Sequence, residues 1–298
     1  MRGLCFFRDL RFVKRRLLFF ALPALLFSTN AFSGTLQDTV YLNRDTFTLY
    51  QNLFRYCAFN ASPAFSRTNA MLYLPAGDTL QLSVVNNDIQ PHTLTIDNVL
   101  STGNQVLPGD TQTFTLSFSQ AGTYRFYSAL SNGAQLGASG SILAGYENTR
   151  RFTWNLFDQD TVSANAFHNQ TISSVTPAYS PDVFLINGVS YPQTSMDSTT
   201  TISGAVNDSI IIAVVNSGHM SHALHFHGYH VRILSSDRTP QMNGWLKDSF
   251  PVKPGGAMTL LLIPDKPGMY PVHDHNLICV TNNGLYAGGM MTMIDITP

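Results

Sequence analysis

Glutamate is almost missing from this chain. One glutamate, Glu147, stands beside 17 aspartates, and the aspartates form no cluster, so paired-carboxylate glycoside chemistry has little to work with. Cysteine is nearly as scarce. Cys5, Cys57 and Cys279 make no CxxC and no cysteine-rich zinc pattern. Cys57, in "FRYCAFN", reads as a small core residue. Whether Cys57 and Cys279 pair is left open, because sequence does not give their separation. No long segment repeats its apolar residues at helical spacing. A basic surface is also lacking, which argues against a nucleic-acid partner.

The N-terminus is the exception to that last absence. Residues 1–33 run from a basic stretch into the apolar "LLFFALPALLF" and end on the small-residue site "AFS". That is the anatomy of a secretory signal peptide, and "RRLLF" resembles a twin-arginine export signal. The apolar run is too short to span a bilayer, and no later segment is apolar enough to do so. The expectation is a periplasmic or secreted protein with no membrane span after signal removal. Six of the 17 Lys and Arg residues and one of the 18 acidic residues lie in 1–33. The remainder carries 11 against 17, a net charge of −6.

What is abundant is strand. "TLQLSVVNND" (79–88), "TQTFTLSF" (111–118), "SIIIAVVN" (209–216) and "AMTLLLIP" (257–264) are rich in Val, Ile, Thr and Phe, and Gly, Pro, Asn and Asp punctuate them. The two halves also echo each other. "LPAGDTLQLSVVNND" aligns with "ISGAVNDSIIIAVVNSG", and "LPGDTQTFTLSFSQAGTYRFYS" aligns with "VKPGGAMTLLLIPDKPGMYPVH". A repeat of this kind means two copies of one domain. The chain is therefore expected to be all-β: 34–148 and 149–298, joined through "GYENTRR".

Histidine is concentrated. Four of the nine histidines fall in "HALHFHGYH" (222–230) and two more in "YPVHDHNL" (270–277). Side chains alternate along a strand. His225 and His227 then share one face, and His273 and His275 another. If the two segments are neighbours, four imidazoles converge, a donor set that suits copper or zinc. The same alternation brings His222 near Asp274 on the opposite face. Asp274 would orient His222 by accepting its N–H, and His230 would support the pocket. His92, His168 and His219 read as ordinary histidines.

"HALHFHGYH" resembles the HxxHxHGH motif of multicopper oxidases, and "KDSFPVKPGGAMTLLLIPDKPGMYPVHDH" resembles the segment leading into that family's HCH motif. "FLINGVSYP" (184–192) is similar to a strand near the start of a cupredoxin domain. The resemblance implies two cupredoxin-like Greek-key β-sandwiches. It places His222 at a type 1 copper position, His225 at the type 2 position, and His227, His273 and His275 at type 3 positions. It also implies, from two-domain relatives, a homotrimer with copper between subunits.

The departures bear on function. Asp274 replaces the cysteine whose thiolate makes the blue copper, and Cys279 stands where the later type 1 histidine is expected. The first domain has no HxH pair. Its one plastocyanin-like histidine, His92, faces Ser128, Ser131 and Leu136 at the spacing where Cys, His and Met are needed. The expectation is an exported copper-binding protein, an oxidoreductase working from a histidine-only site on a small-molecule substrate. The alternatives are a non-catalytic protein of copper storage, delivery or tolerance, with metal ions as its partners, and an interaction β-sandwich with a vestigial site. Zinc remains open as the metal.

Overall fold

A computed structural model describes residues 34–49, 52–101 and 103–298. The expected signal segment, 1–33, lies outside the described residues.

The first sandwich holds β1 (Thr35–Leu49), β2 (Asn52–Asn60), β3 (Met71–Leu74), β4 (Thr79–Asn86), β5 (Thr95–Ile96), β6 (Thr111–Ser117), β7 (Gly122–Tyr127) and β8 (Ser139–Ala144). One sheet runs β2-β1-β4-β6 and the other β3-β8-β7-β5. β4 shows the physical basis of the layering. Leu80, Leu82 and Val84 are buried while Gln81 and Ser83 between them are partly exposed, the period-two pattern of a strand with one face in a core.

The second sandwich holds β9 (Arg150–Gln159), β10 (Val183–Ile186), β11 (Ile202–Ala205), β12 (Ile210–Asn216), β13 (His222–Phe226), β14 (Val231–Ser236), β15 (Leu246–Lys247), β16 (Ser249–Val252), β17 (Ala257–Leu262), β18 (Gly268–Asp274) and β19 (Met291–Thr297). Its sheets run β10-β9-β12-β17-β14-β15 and β11-β19-β18-β13-β16. Parallel neighbours such as β1/β4 and β9/β12 require the crossovers of a Greek-key sandwich.

β12 is buried along its whole length, unlike β4. One of its faces meets Trp154, Leu224, Phe226 and Leu260 in the core of its own sandwich. On the other, Ile211 and Ala213 pack with Leu143 of β8. Thr123 of β7 and Thr259 of β17 hydrogen-bond at 2.9 Å between their hydroxyls, so the two sandwiches are joined by polar as well as apolar contacts.

Among the described residues there is one α-helix, the short α1 (Thr161–His168). Asp160 caps it by accepting the Ser163 N–H at 2.6 Å. Ala164 and Phe167 bury against the first sandwich. Two turns are too few for a helical repeat to show in sequence.

Candidate metal centre

β13 lies between β16 and β18. Its register pairs His225 with His273 on one side and with Ser249 on the other, and pairs Leu224 with Asp274. Leu224 and Phe226 are buried, so the odd-numbered residues between and beyond them turn outward. His225 and His273 are half-buried, and His227 and His275 are exposed. Burial of Leu224 and Phe226, at about 1.5–3 kcal/mol each, is what fixes this register.

The four outward rings form one cluster. Ring centres lie 4.6 Å apart for His225–His227, 5.6 Å for His225–His273, 5.4 Å for His225–His275, 5.1 Å for His227–His273 and 6.5 Å for His273–His275. Four imidazoles on one ion at about 2.0–2.1 Å would have ring centres roughly 5 Å apart, the spacing these pairs bracket. The rings as placed do not yet bring three nitrogens within 4.8 Å of one another, which among the described residues only the buried sets His222, Asp274, Cys279 and Cys57, Asp88, His92 do.

The hydrogen bonds set the ring orientations. His225 Nδ1 is 2.6 Å from Ser249 Oγ, leaving Nε2 for the cluster. His273 Nδ1 donates to the Asp274 carbonyl at 2.8 Å, so its Nε2 carries a lone pair. His227 Nε2 lies 2.9 Å from that atom and is then its donor. A metal must displace this proton. Burial and the neighbouring His225, His273 and His275 hold His227 below the usual histidine range, which keeps its ring neutral and ready to ligate.

His222 does not join them. It is fully buried, with Nδ1 2.6 Å from Asp274 Oδ2 and Nε2 2.9 Å from Asp158 Oδ1. The orienting contact from Asp274 is present, both ring nitrogens face carboxylates, and His222, Asp274 and Cys279 bring one ligand atom each within 4.8 Å of one another. Burial alone would push His222 down; the bonds to Asp158 and Asp274 more than offset it and raise it well above the usual value. Asp158 also takes the Tyr179 hydroxyl at 2.6 Å and the backbone N–H groups of His219 and Met220. Cys279 lies against the same cluster, and burial pushes its thiol up to about 11, so it stays protonated at neutral pH. Cys57 and Cys279 are free thiols in different cores. Met290 is a core residue of the second sandwich.

His230 lies apart from the four rings. It is exposed, makes no ring contact with the four among the described residues, and lines a separate cavity with Tyr229, Arg232, Leu246, Ile263 and Asp265.

The first sandwich repeats the His222 arrangement in simpler form. His92 is fully buried, with Nε2 2.7 Å from Asp88 Oδ2 and Nδ1 2.8 Å from Ser128 Oγ. Arg44 Nε neutralises Asp88 at 2.6 Å. Asn86 and Asn216 end equivalent strands and accept the N–H of the residue two further on, Asp88 and Gly218. In the second copy Gly218 leaves the space that Asp158 fills: a Cβ there would stand 1.9 Å from Asp158 Oδ1. The same carboxylate position is supplied locally in one sandwich and from β9 in the other.

Sequence reasoning missed Asp158, Tyr179 and Ser249. Asp158 and Ser249 stand 64 and 24 residues from the histidines they touch. The one available signal was the Gly218/Asp88 mismatch between the repeats.

Residues 151–291 match the family model for multicopper oxidases, and residues 67–138 match that for cupredoxin-like domains. No curated protein matches the chain by sequence. Among solved structures, the blue copper oxidase of Nitrosomonas europaea superposes with a TM-score of 0.72 at 23% identity, over 88% of this chain and 86% of that one. The multicopper oxidase mgLAC gives 0.72 at 20% identity, over 89% and 88%. The copper nitrite reductase of Nitrosomonas europaea gives 0.65 at 16% identity, over 88% and 94%. These names carry copper and lend no support to zinc. The multicopper oxidase match over residues 151–291, the cupredoxin-like match over 67–138 and this fold support a two-domain, cupredoxin-type multicopper oxidase family for the chain.

Proposed function

We propose that this is an exported copper protein whose working site is the surface cluster His225, His227, His273 and His275, used for oxidoreductase chemistry without a blue copper. The observation that carries the reading is the convergence of four imidazoles on one outward face, with Ser249 and the Asp274 carbonyl fixing two of the rings. Copper bound there would supply one-electron chemistry. The chain's own part is to hold the rings, to release the His227–His273 proton on metal entry, and to leave the outer side open to a small-molecule substrate.

A second reading, copper storage or delivery without turnover, is favoured by the core. Where a blue copper would pass electrons inward, His222 is fixed between Asp158 and Asp274. Export rests on the signal-like residues 1–33.

Self-association is supported by exposed apolar side chains in the segment following His275: Leu277 at 70% exposure, Leu285 at 75% and Tyr286 at 76%. A second or third copy would cover the cluster but add no imidazole from its first sandwich, because His92, the lone histidine of residues 34–148, is fully buried.

The test is metal content of protein isolated from its exported compartment, followed by oxygen consumption with a phenolic reductant. Bound copper with turnover supports the enzyme. Bound copper without turnover selects the storage or delivery reading, and absence of copper removes both.

A further inference from the structure

The two sandwiches meet around a cavity of about 230 Å³. Arg125 and Gln135 line it from the first sandwich, Ser173 and Ser174 from the connection after α1, and His219 and Gly255 from the second. None of its lining residues is acidic, and Arg125 is the one residue with a formal positive charge, since burial holds His219 below the usual histidine range.

Among the described residues Arg125 makes no ion pair, although Asp97 and Asp237 lie near enough to act on its charge. Its Nε is enclosed and has no hydrogen-bond partner among the described residues. One terminal nitrogen reaches Ser139 Oγ at 3.3 Å, and the guanidinium stacks over the Tyr127 ring at 4.1 Å. Asp97 and Asp237 border a neighbouring cavity that Arg125 also lines. Arg238 takes both, at 2.6 Å and 3.9 Å. A guanidinium drawn from water with no carboxylate bonded to it is costly, and a planar fork of donors is suited to two oxygens of one anion.

We infer that this crevice binds a small oxyanion or carboxylate, with Arg125 as its charge partner and the Ser173 and Ser174 hydroxyls as further donors. The occupant bridges the sandwiches. It also touches the loop whose His219 and Met220 N–H groups hold Asp158, so it stiffens the buried His222 cluster from outside.

The experiment is calorimetric titration of the full chain with sodium phosphate, and separately with sodium acetate, at constant ionic strength. Saturable one-site binding of either anion supports the site and identifies the source of the oxygens; binding of neither overturns it. Arg125→Gln should lower the affinity about tenfold or more, the loss expected for a charge-assisted pair. Unchanged affinity in that variant overturns the assignment. Should Arg125→Gln not fold, Ser173→Ala with Ser174→Ala, on the connection after α1, carries the test. A fall of about threefold supports the site, and unchanged affinity contradicts it.

Discussion

The His222 ring has a carboxylate at each nitrogen and no exposure to water, so it is held as an imidazolium. Its folded value is raised, so the stability it contributes is fully present below the unfolded histidine value and is lost as pH rises through the folded one. Asp158 runs the other way. Burial would raise it, but its bonds to His222 and Tyr179 leave it lowered, so its contribution is present above the unfolded aspartate value and fades as pH falls. Urea unfolding should therefore show stability declining from neutral to alkaline pH, with His222→Gln flattening that limb. The same variant should cost about 3–5 kcal/mol at neutral pH, because it leaves two buried carboxylates without their cation. At the surface, Ser249→Ala removes the oxygen that orients His225. Copper affinity, measured by competition with a chromophoric chelator, should fall about tenfold while unfolding is unchanged.

At the scale of elements, β13 does two jobs through alternation alone. Leu224 and Phe226 lock it into the core, and the same pleat turns His225 outward beside His273. This much could be read from sequence, since two HxH pairs in strand-like surroundings fix which residues share a face. The repeat was legible too, in the Asn86 and Asn216 strand ends. Asp158 was not: its role depends on β9 lying against the loop after β12, a parallel pairing no local pattern records. Nor were the carboxylate partners of His222, because a histidine between two carboxylates and a histidine on copper have the same spacing in sequence. Gly218 is the hinge of that difference. Gly218→Ala would drive a Cβ into Asp158, and a loss of about 1–3 kcal/mol in urea unfolding is expected, with the His222 pH dependence weakened. Gly103→Ala, at an ordinary φ where a Cβ meets nothing within 4 Å, serves as the comparison free of that clash.

For the whole molecule, the four outward imidazoles proposed to hold copper are distinct from two buried histidine clusters, one in each sandwich. Each sandwich keeps a buried histidine with a carboxylate against its ring: Asp88 for His92, Asp158 and Asp274 for His222. Copper-loaded protein should accordingly show no intense absorption near about 600 nm, the region of thiolate-to-copper transfer in blue sites. A strong band there would make Cys279 the ligand and undo the reading of the core.

The central claim is that metal is held by the four outward imidazoles. Copper titration of the parent chain, of His225→Ala with His273→Ala, and of His168→Ala tests it most directly. The account predicts tight binding in the parent and in His168→Ala. In the double variant it predicts a loss beyond the roughly 10–100-fold that removing an outer hydrogen-bond partner costs. All three proteins should remain folded, because the sandwiches stand on their apolar strands. Parent-like copper affinity in the folded double variant would contradict it.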